Sequence, residues 1–177
     1  YYRTVMQNER LNEMLLQLFN EELLPQENLP PEDLGADFRE RQGFIEVADD
    51  GLFTRKPIAM MEMFLLLAKH ERLRGVRAST IRLFRDSLHL IDESFRADQQ
   101  ARQYFFELFC QPSGVYTQLQ RMNRYGVLAA FIPAFANIVG RMQFDLFHVY
   151  TVDQHILFVV RNLRRFAYGK YSNEFPH

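Results

Sequence analysis

The sequence has 177 residues, 47% of them apolar and 24% charged, a composition that supports one sizeable folded domain or one domain plus part of another. Its 21 basic and 22 acidic residues nearly cancel, so no global basic field points to nucleic acid or to an anionic membrane. The lone Cys110 excludes a disulfide framework, and the longest apolar run, MFLLLA (63–68), falls far short of the ~18 residues that a membrane span needs.

Most of the chain reads as helix. Seventeen Phe with no Trp suit a helical core. From about Val5 to Leu24, Leu11, Met14, Leu15 and Leu18 repeat at three- and four-residue spacing, with Asn8, Glu9, Asn12 and Glu13 on the other face, until Pro25 ends the pattern. ENLPPEDLG (27–35) is a loop. GFIEVADDGLFTR (43–55) breaks the helical period: residues 44–48 are strand-like, and Asp50-Gly51 offers the positive-φ residues of a tight hairpin turn. A lone hairpin is marginal in water, so it must lean on helices.

Pro57 suits a first helical position, and IAMMEMFLLLAKH (58–70) follows as a mostly buried helix. Ser79 or Thr80 is a candidate cap for the next, with Ile81, Phe84, Leu88, Ile91 and Phe95 on one face. Asp98 caps another, carrying Tyr104, Phe105, Leu108 and Phe109; Cys110 at its end is expected to be a buried, inert thiol. Pro112 stops that helix, Ser113 caps one that runs to about Tyr125, and Gly126 suits a left-handed cap. Pro133 restarts a helix to about Val139. The fold class is therefore mostly α: six or seven helices with one small β-hairpin.

KHERLRGVRASTIRLFR (69–85) holds six Lys or Arg and one Glu. Arg72, Arg74 and Arg77 surround a turn at Gly75 and could meet nucleotide phosphates or an acidic partner through charge-assisted hydrogen bonds. Basic side chains at a solvated helix end are the commoner reading of such a cluster.

Gly140 is a candidate boundary, dividing the chain into 1–140 and 141–177. Beyond it, FDLFHVYTVDQHIL (144–157) has the composition of a metal site, with two His and two Asp. Thr151-Val152-Asp153-Gln154 is a capping box, which starts the last helix near Val152 with Ile156, Val159, Val160, Leu163 and Phe166 as its apolar stripe. His148 then precedes the helix while His155 lies in its first turns, so the two do not share a helical face. His155 is expected at the edge of the core, where an imidazole suits a metal or a structural hydrogen bond.

RMQFDLFHVYTVDQHIL, with LNEMLLQLF, GFIEVADDGLFTRKPIAMMEMF and GVLAAFIPAFANIVGRMQFD upstream, resembles the bacterial bifunctional PII uridylyltransferase/uridylyl-removing enzymes, over essentially the whole chain. The resemblance implies a central helical domain (1–140) followed by the first part of a truncated HD-type hydrolase domain (141–177). It implies a parent enzyme that transfers UMP from UTP to the PII signal protein and hydrolyses it off again, with Mg²⁺ or Mn²⁺ as cofactor. His155 takes the place of the first metal ligand of the HD site, which stays incomplete here because no His-Asp dipeptide occurs. The family typically reads VDEH where this chain has VDQH, a change that keeps the capping box.

The opening YYRTV, without Met, is expected of a piece of a longer protein, and no stretch reads as a signal peptide. The resemblance makes the expected partners PII, UTP and the transferase and HD domains of the parent chain, without nucleic acid or membrane, in the cytoplasm. The fragment itself is expected to be a non-catalytic positioning domain that holds no metal tightly. Two other readings stay open: a free-standing helical interaction module, and the helical domain of another multidomain nucleotidyltransferase.

Overall fold

The computed structural model describes residues 30–142 and 150–168, together with five helical positions in the first segment, Asn8, Asn12, Leu15, Leu18 and Phe19. Those five agree with the helix expected there, although Leu15 and Phe19 are exposed. The rest of that helix, the Tyr1–Arg3 opening and His148 lie outside the described residues.

Four short strands make one sheet in the order β1 (Glu32–Asp33), β2 (Phe38–Arg41), β3 (Phe44–Val47) and β4 (Gly75–Val76). β1–β2 and β2–β3 are antiparallel, and β4 joins β3 in parallel, with Phe44 beside Gly75 and Ile45 beside Val76. The hairpin exists, but its turn is Gln42-Gly43 rather than Asp50-Gly51. Gln42 has φ 56° and Gly43 φ 82°, the two positive values that a two-residue turn between twisted strands requires. Asp49 instead folds its carboxylate over the Gly51 N–H at 2.7 Å, and Gly51 opens α1 (Leu52–Arg55). An Asx turn has won over a hairpin turn at that site.

α1 leads into α2 (Ala59–Lys69), whose first turn follows Pro57 by two residues. Eight of its eleven residues are buried, so it is hydrophobic almost all round and forms the axis of the core. Phe38 and Ile45 from the sheet, Phe53 from α1 and Ile81 and Phe84 from α3 (Ala78–Asp86) close on it. Phe84 meets Phe53 and Phe64 edge-on, with ring centroids 5.3 and 5.6 Å away, the geometry in which a ring edge faces a neighbouring π-face.

α3 starts one residue before Ser79, with Arg77 as its cap. Thr80 is buried instead, and its Oγ1 accepts from the Val47 N–H at 3.1 Å, extending the sheet's hydrogen bonding into the helix. The expected long helix through Phe95 is divided. A 3-10 turn (Leu88–Leu90) follows Ser87, and Asp92 then caps α4 (Glu93–Ala97) by accepting from Phe95 N at 2.9 Å. Asp98 caps α5 (Gln99–Cys110) as expected, accepting from Ala101 N at 2.9 Å. Cys110, however, is exposed: the packed face of α5 passes through Ala101 and Leu108.

α6 (Val115–Tyr125) is capped by Gly114, not Ser113, whose hydroxyl donates to Glu71. Gly114 has φ 75°, and a Cβ there would stand 3.5 Å from the Ala68 Cα, so this turn nests against the end of α2. Gly126, at φ 86°, ends α6 as expected; α7 (Val127–Phe131) and α8 (Pro133–Ala136) follow. The last described helix is α9 (Val152–Ala167). The architecture is mostly α with a small sheet. Its extra helices among the described residues are the short pieces left where caps and prolines interrupt longer patterns. No helix among the described residues is long and apolar enough to cross a membrane.

Candidate functional site

Two places in the structure carry the residues singled out by the sequence, and α6 connects them. The first is the basic turn. Arg72 grips Glu32 with both terminal nitrogens, at 2.7 and 3.0 Å, and its Nε lies 2.8 Å from Glu40 Oε2 in ion-pair contact rather than in hydrogen-bond alignment. Arg77 stands 3.6 Å from Glu46. Both arginines therefore brace the sheet. Arg74 is exposed; its N–H donates to Gly43 O at 2.7 Å and its stem runs over Gly43. Arg121 of α6 donates to the Arg74 carbonyl oxygen and, at 3.0 Å, to Gln118 Oε1, and burial lowers its guanidinium from the ordinary value.

The second place is the seam between α6 and α9. Asp153 is fully buried on the inner face of α9. Its Oδ2 accepts from Asn123 Nδ2 at 2.7 Å and its Oδ1 from Gly140 N at 3.1 Å. A buried polar group costs several kcal/mol unless it is bonded, so these contacts fix where α9 lies. One and two turns further along the same face, Leu157 is buried and Arg161 is stacked, its guanidinium 5.2 Å from the Tyr116 ring centre and 4.9 Å from that of Phe158. Burial raises the Tyr116 phenol, against the opposing pull of the Arg161 charge. Arg164 then donates to the Phe109 and Gln111 carbonyl oxygens at the end of α5, where a cation suits the negative pole of a helix.

The capping box is not formed as drawn. Thr151 is the N-cap of α9, but its side chain makes no cap bond, and Thr151 Oγ1 has no hydrogen-bond partner among the described residues. Asp153 takes over the anchoring of the first turn by pointing inward instead.

Of the expected apolar stripe of α9, Val160 is partly buried against the core and the other four residues face away from it. Ile156, Val159, Leu163 and Phe166 are 38, 42, 62 and 52% exposed. His155 lies on that outer face and is exposed, not set at the core's edge as the sequence suggested. No group of three or more His, Cys, Asp or Glu gathers among the described residues in a metal-binding arrangement. Among the described residues His155 is therefore part of no group of three or more such ligands. The sequence pattern gave no weight to Asp153, Asn123, Arg161 or Arg164. The available signal was the four-residue spacing of Asp153, Leu157 and Arg161, which puts an acid on a face otherwise used for packing.

The fold and the seam define a mostly helical domain whose closing helix keeps one face sealed and one face open. A family model described as the third domain of uridylyltransferase GlnD matches residues 38–131. The chain belongs to this family. It is 50% identical over 177 residues to the bifunctional uridylyltransferase/uridylyl-removing enzyme of Nitrosococcus oceani, 52% to that of Methylococcus capsulatus and 45% to that of Pseudomonas aeruginosa. Each comparison covers 99% of this chain and 20% of the relative, so the chain spans about a fifth of the length of those enzymes. No solved structure matches it.

Proposed function

We propose that this chain is the central positioning segment of a cytoplasmic enzyme that transfers UMP from UTP to a PII-type signal protein and hydrolyses it off again. The whole-chain likeness to enzymes named for both activities supports this reading. The observation that carries the positioning role is the two-faced α9, sealed inward by Asp153 and Asn123 and open outward through Ile156, Val159, Leu163 and Phe166. Residues 1–140 then form the helical domain, and 141–177 begin an HD-type hydrolase domain whose remainder packs on the open face.

In this reading His155 contributes one ligand to the Mg²⁺ or Mn²⁺ of the hydrolase site. The described residues do not complete that site, so this chain's part is to hold the imidazole on a helix fixed to the helical domain. Removal of UMP needs water delivered to a phosphodiester, chemistry that a divalent metal supplies when bound. The fragment alone carries neither activity.

The test is His155→Ala in the full-length enzyme. Uridylyl removal should fall by about 100-fold or more while transfer to PII stays near its original rate. Unchanged removal would sink the assignment of α9 to the hydrolase. Arg74, exposed and not engaged with the sheet carboxylates that hold Arg72 and Arg77, is the best placed of the three to meet UTP phosphates or an acidic surface of PII. Arg74→Ala should raise the apparent KM for one of them, and an unchanged KM for both would take the turn out of recognition.

A further inference from the structure

A cleft of about 190 Å³ opens where the first turn of α6 faces the last turns of α9. It is lined by Arg161, Arg164, Arg165, Tyr116 and Tyr168 and by the turn at 112–114. Among the described residues, three cations and no acid line one small opening, in a chain whose formal net charge is −1. Glu71 reaches its rim only as the acceptor of the Ser113 hydroxyl, at 2.9 Å.

Two of the cations, Arg161 and Arg164, are held in place. Arg161 is stacked on Tyr116 and Phe158, Arg164 is fixed by two carbonyl oxygens and lies 5.3 Å from the Tyr168 ring centre, and both keep further N–H groups beyond those bonds. A stacked guanidinium loses little freedom when it meets an oxyanion, so the cost of binding is largely met in the fold. The first backbone N–H groups of α6 receive no side-chain cap, since the residue before them is Gly114. The opening is smaller than the ~300 Å³ at which pockets begin to enclose a drug-sized ligand. It suits a phosphate or diphosphate group and leaves any attached nucleoside outside.

We propose that this cleft, at the seam of α6 and α9, binds a phosphate group, either of an inorganic anion or of a nucleotide tail. The proposal stands apart from the assignment of α9 to a hydrolase, since it needs only the contacts of this chain. Calorimetric titration of the 177-residue chain at low salt with phosphate, pyrophosphate, UMP and UTP is the experiment, with Arg161→Gln, Arg165→Gln and, as a distant control of equal charge change, Arg82→Gln. Saturable binding of at least one anion, weakened about tenfold by Arg165→Gln and not by Arg82→Gln, is the expected result. Equal affinity for pyrophosphate and UTP identifies the phosphates alone as the ligand; tighter binding of UMP or UTP identifies a nucleotide. Thermal melts report whether Arg161→Gln, which removes a stacked side chain, still folds; if it does not, Arg165→Gln decides alone. Heats that fail to saturate, or binding weakened equally by all three variants, would overturn the proposal.

Discussion

Asn123 Nδ2 donates to Asp153 Oδ2 across 2.7 Å of buried interior, joining the last turn of α6 to the first turn of α9. With Gly140 N as a second donor to the same carboxyl group, this pair decides which face of α9 turns inward. Asp153→Ala strands the buried Asn123 amide and the half-buried Gly140 N–H and should destabilise the chain by ~2–4 kcal/mol. Asn123→Ala should cost less, and the double variant should show a coupling of ~1–2 kcal/mol in urea unfolding. Additive losses would mean that the two side chains do not act as a unit.

The hairpin turn offers a gain. Gln42 is the only non-glycine residue among those described with a positive φ, at 56°, and Asn tolerates that conformation better. Gln42→Asn should raise stability by ~0.5–1 kcal/mol, seen as a higher urea midpoint at unchanged slope. A lower midpoint would show that the Gln42 side chain is worth more than the relief of its backbone.

Arg72 holds the Glu32 carboxyl below its ordinary value of 4.5, chiefly through their hydrogen bonds. A carboxyl with a lowered folded value favours folding when ionised, so its contribution is present above pH 4.5 and disappears as the pH falls through the folded value. Glu32→Gln should therefore trail the original chain slightly in urea midpoint at neutral pH, and the gap should close on acidification. Both side chains are exposed, which keeps the gap small. A gap that persists in acid would place the effect in packing and not in charge.

Leu163, 62% exposed on the outer face of α9, separates the isolated chain from the longer enzyme. Leu163→Glu should change the stability of the 177-residue chain by less than ~0.5 kcal/mol. On the proposed packing of a hydrolase domain against this face, the same substitution in the full-length enzyme should lower the melting temperature and uridylyl removal together, because a charge then meets a packed surface. Equal tolerance in both contexts would mean that nothing packs on that face.

Strong local signals were legible in the sequence. The apolar run 58–70, Asp98 and Gly126 each dictate one local structure and have few competitors. Signals that compete were not. Asp50-Gly51 is the better hairpin dipeptide, yet Asp49 uses the same turn chemistry to start α1, while the less favoured Gln42-Gly43 makes the hairpin. β1 and β4 are two residues each, too short to show an alternating period. Ser113 looked like a cap, but its hydroxyl serves Glu71 while the close approach of Ala68 favours glycine at the next position. For α9, periodicity identified an apolar stripe but not which face turns inward, so His155 was expected at the core's edge and lies exposed instead. The family was readable because its motifs are long and contiguous in this chain; the buried Asp153 was hidden inside one of them.

α9 is a wall shared between two compartments. Its inner face is bolted to α6 by a buried polar pair, to α5 by Arg164 and to the Tyr116 ring by Arg161. A body seated on its outer face cannot rock independently of the helical domain without breaking those fastenings. Motion there is therefore cheaper as a tilt of α6 and α9 together. Through the Arg121 guanidinium, α6 also holds the Arg74 carbonyl oxygen, so such a tilt pulls directly on the basic turn beside the sheet. A displacement at one end of the domain thus has a mechanical route to the other.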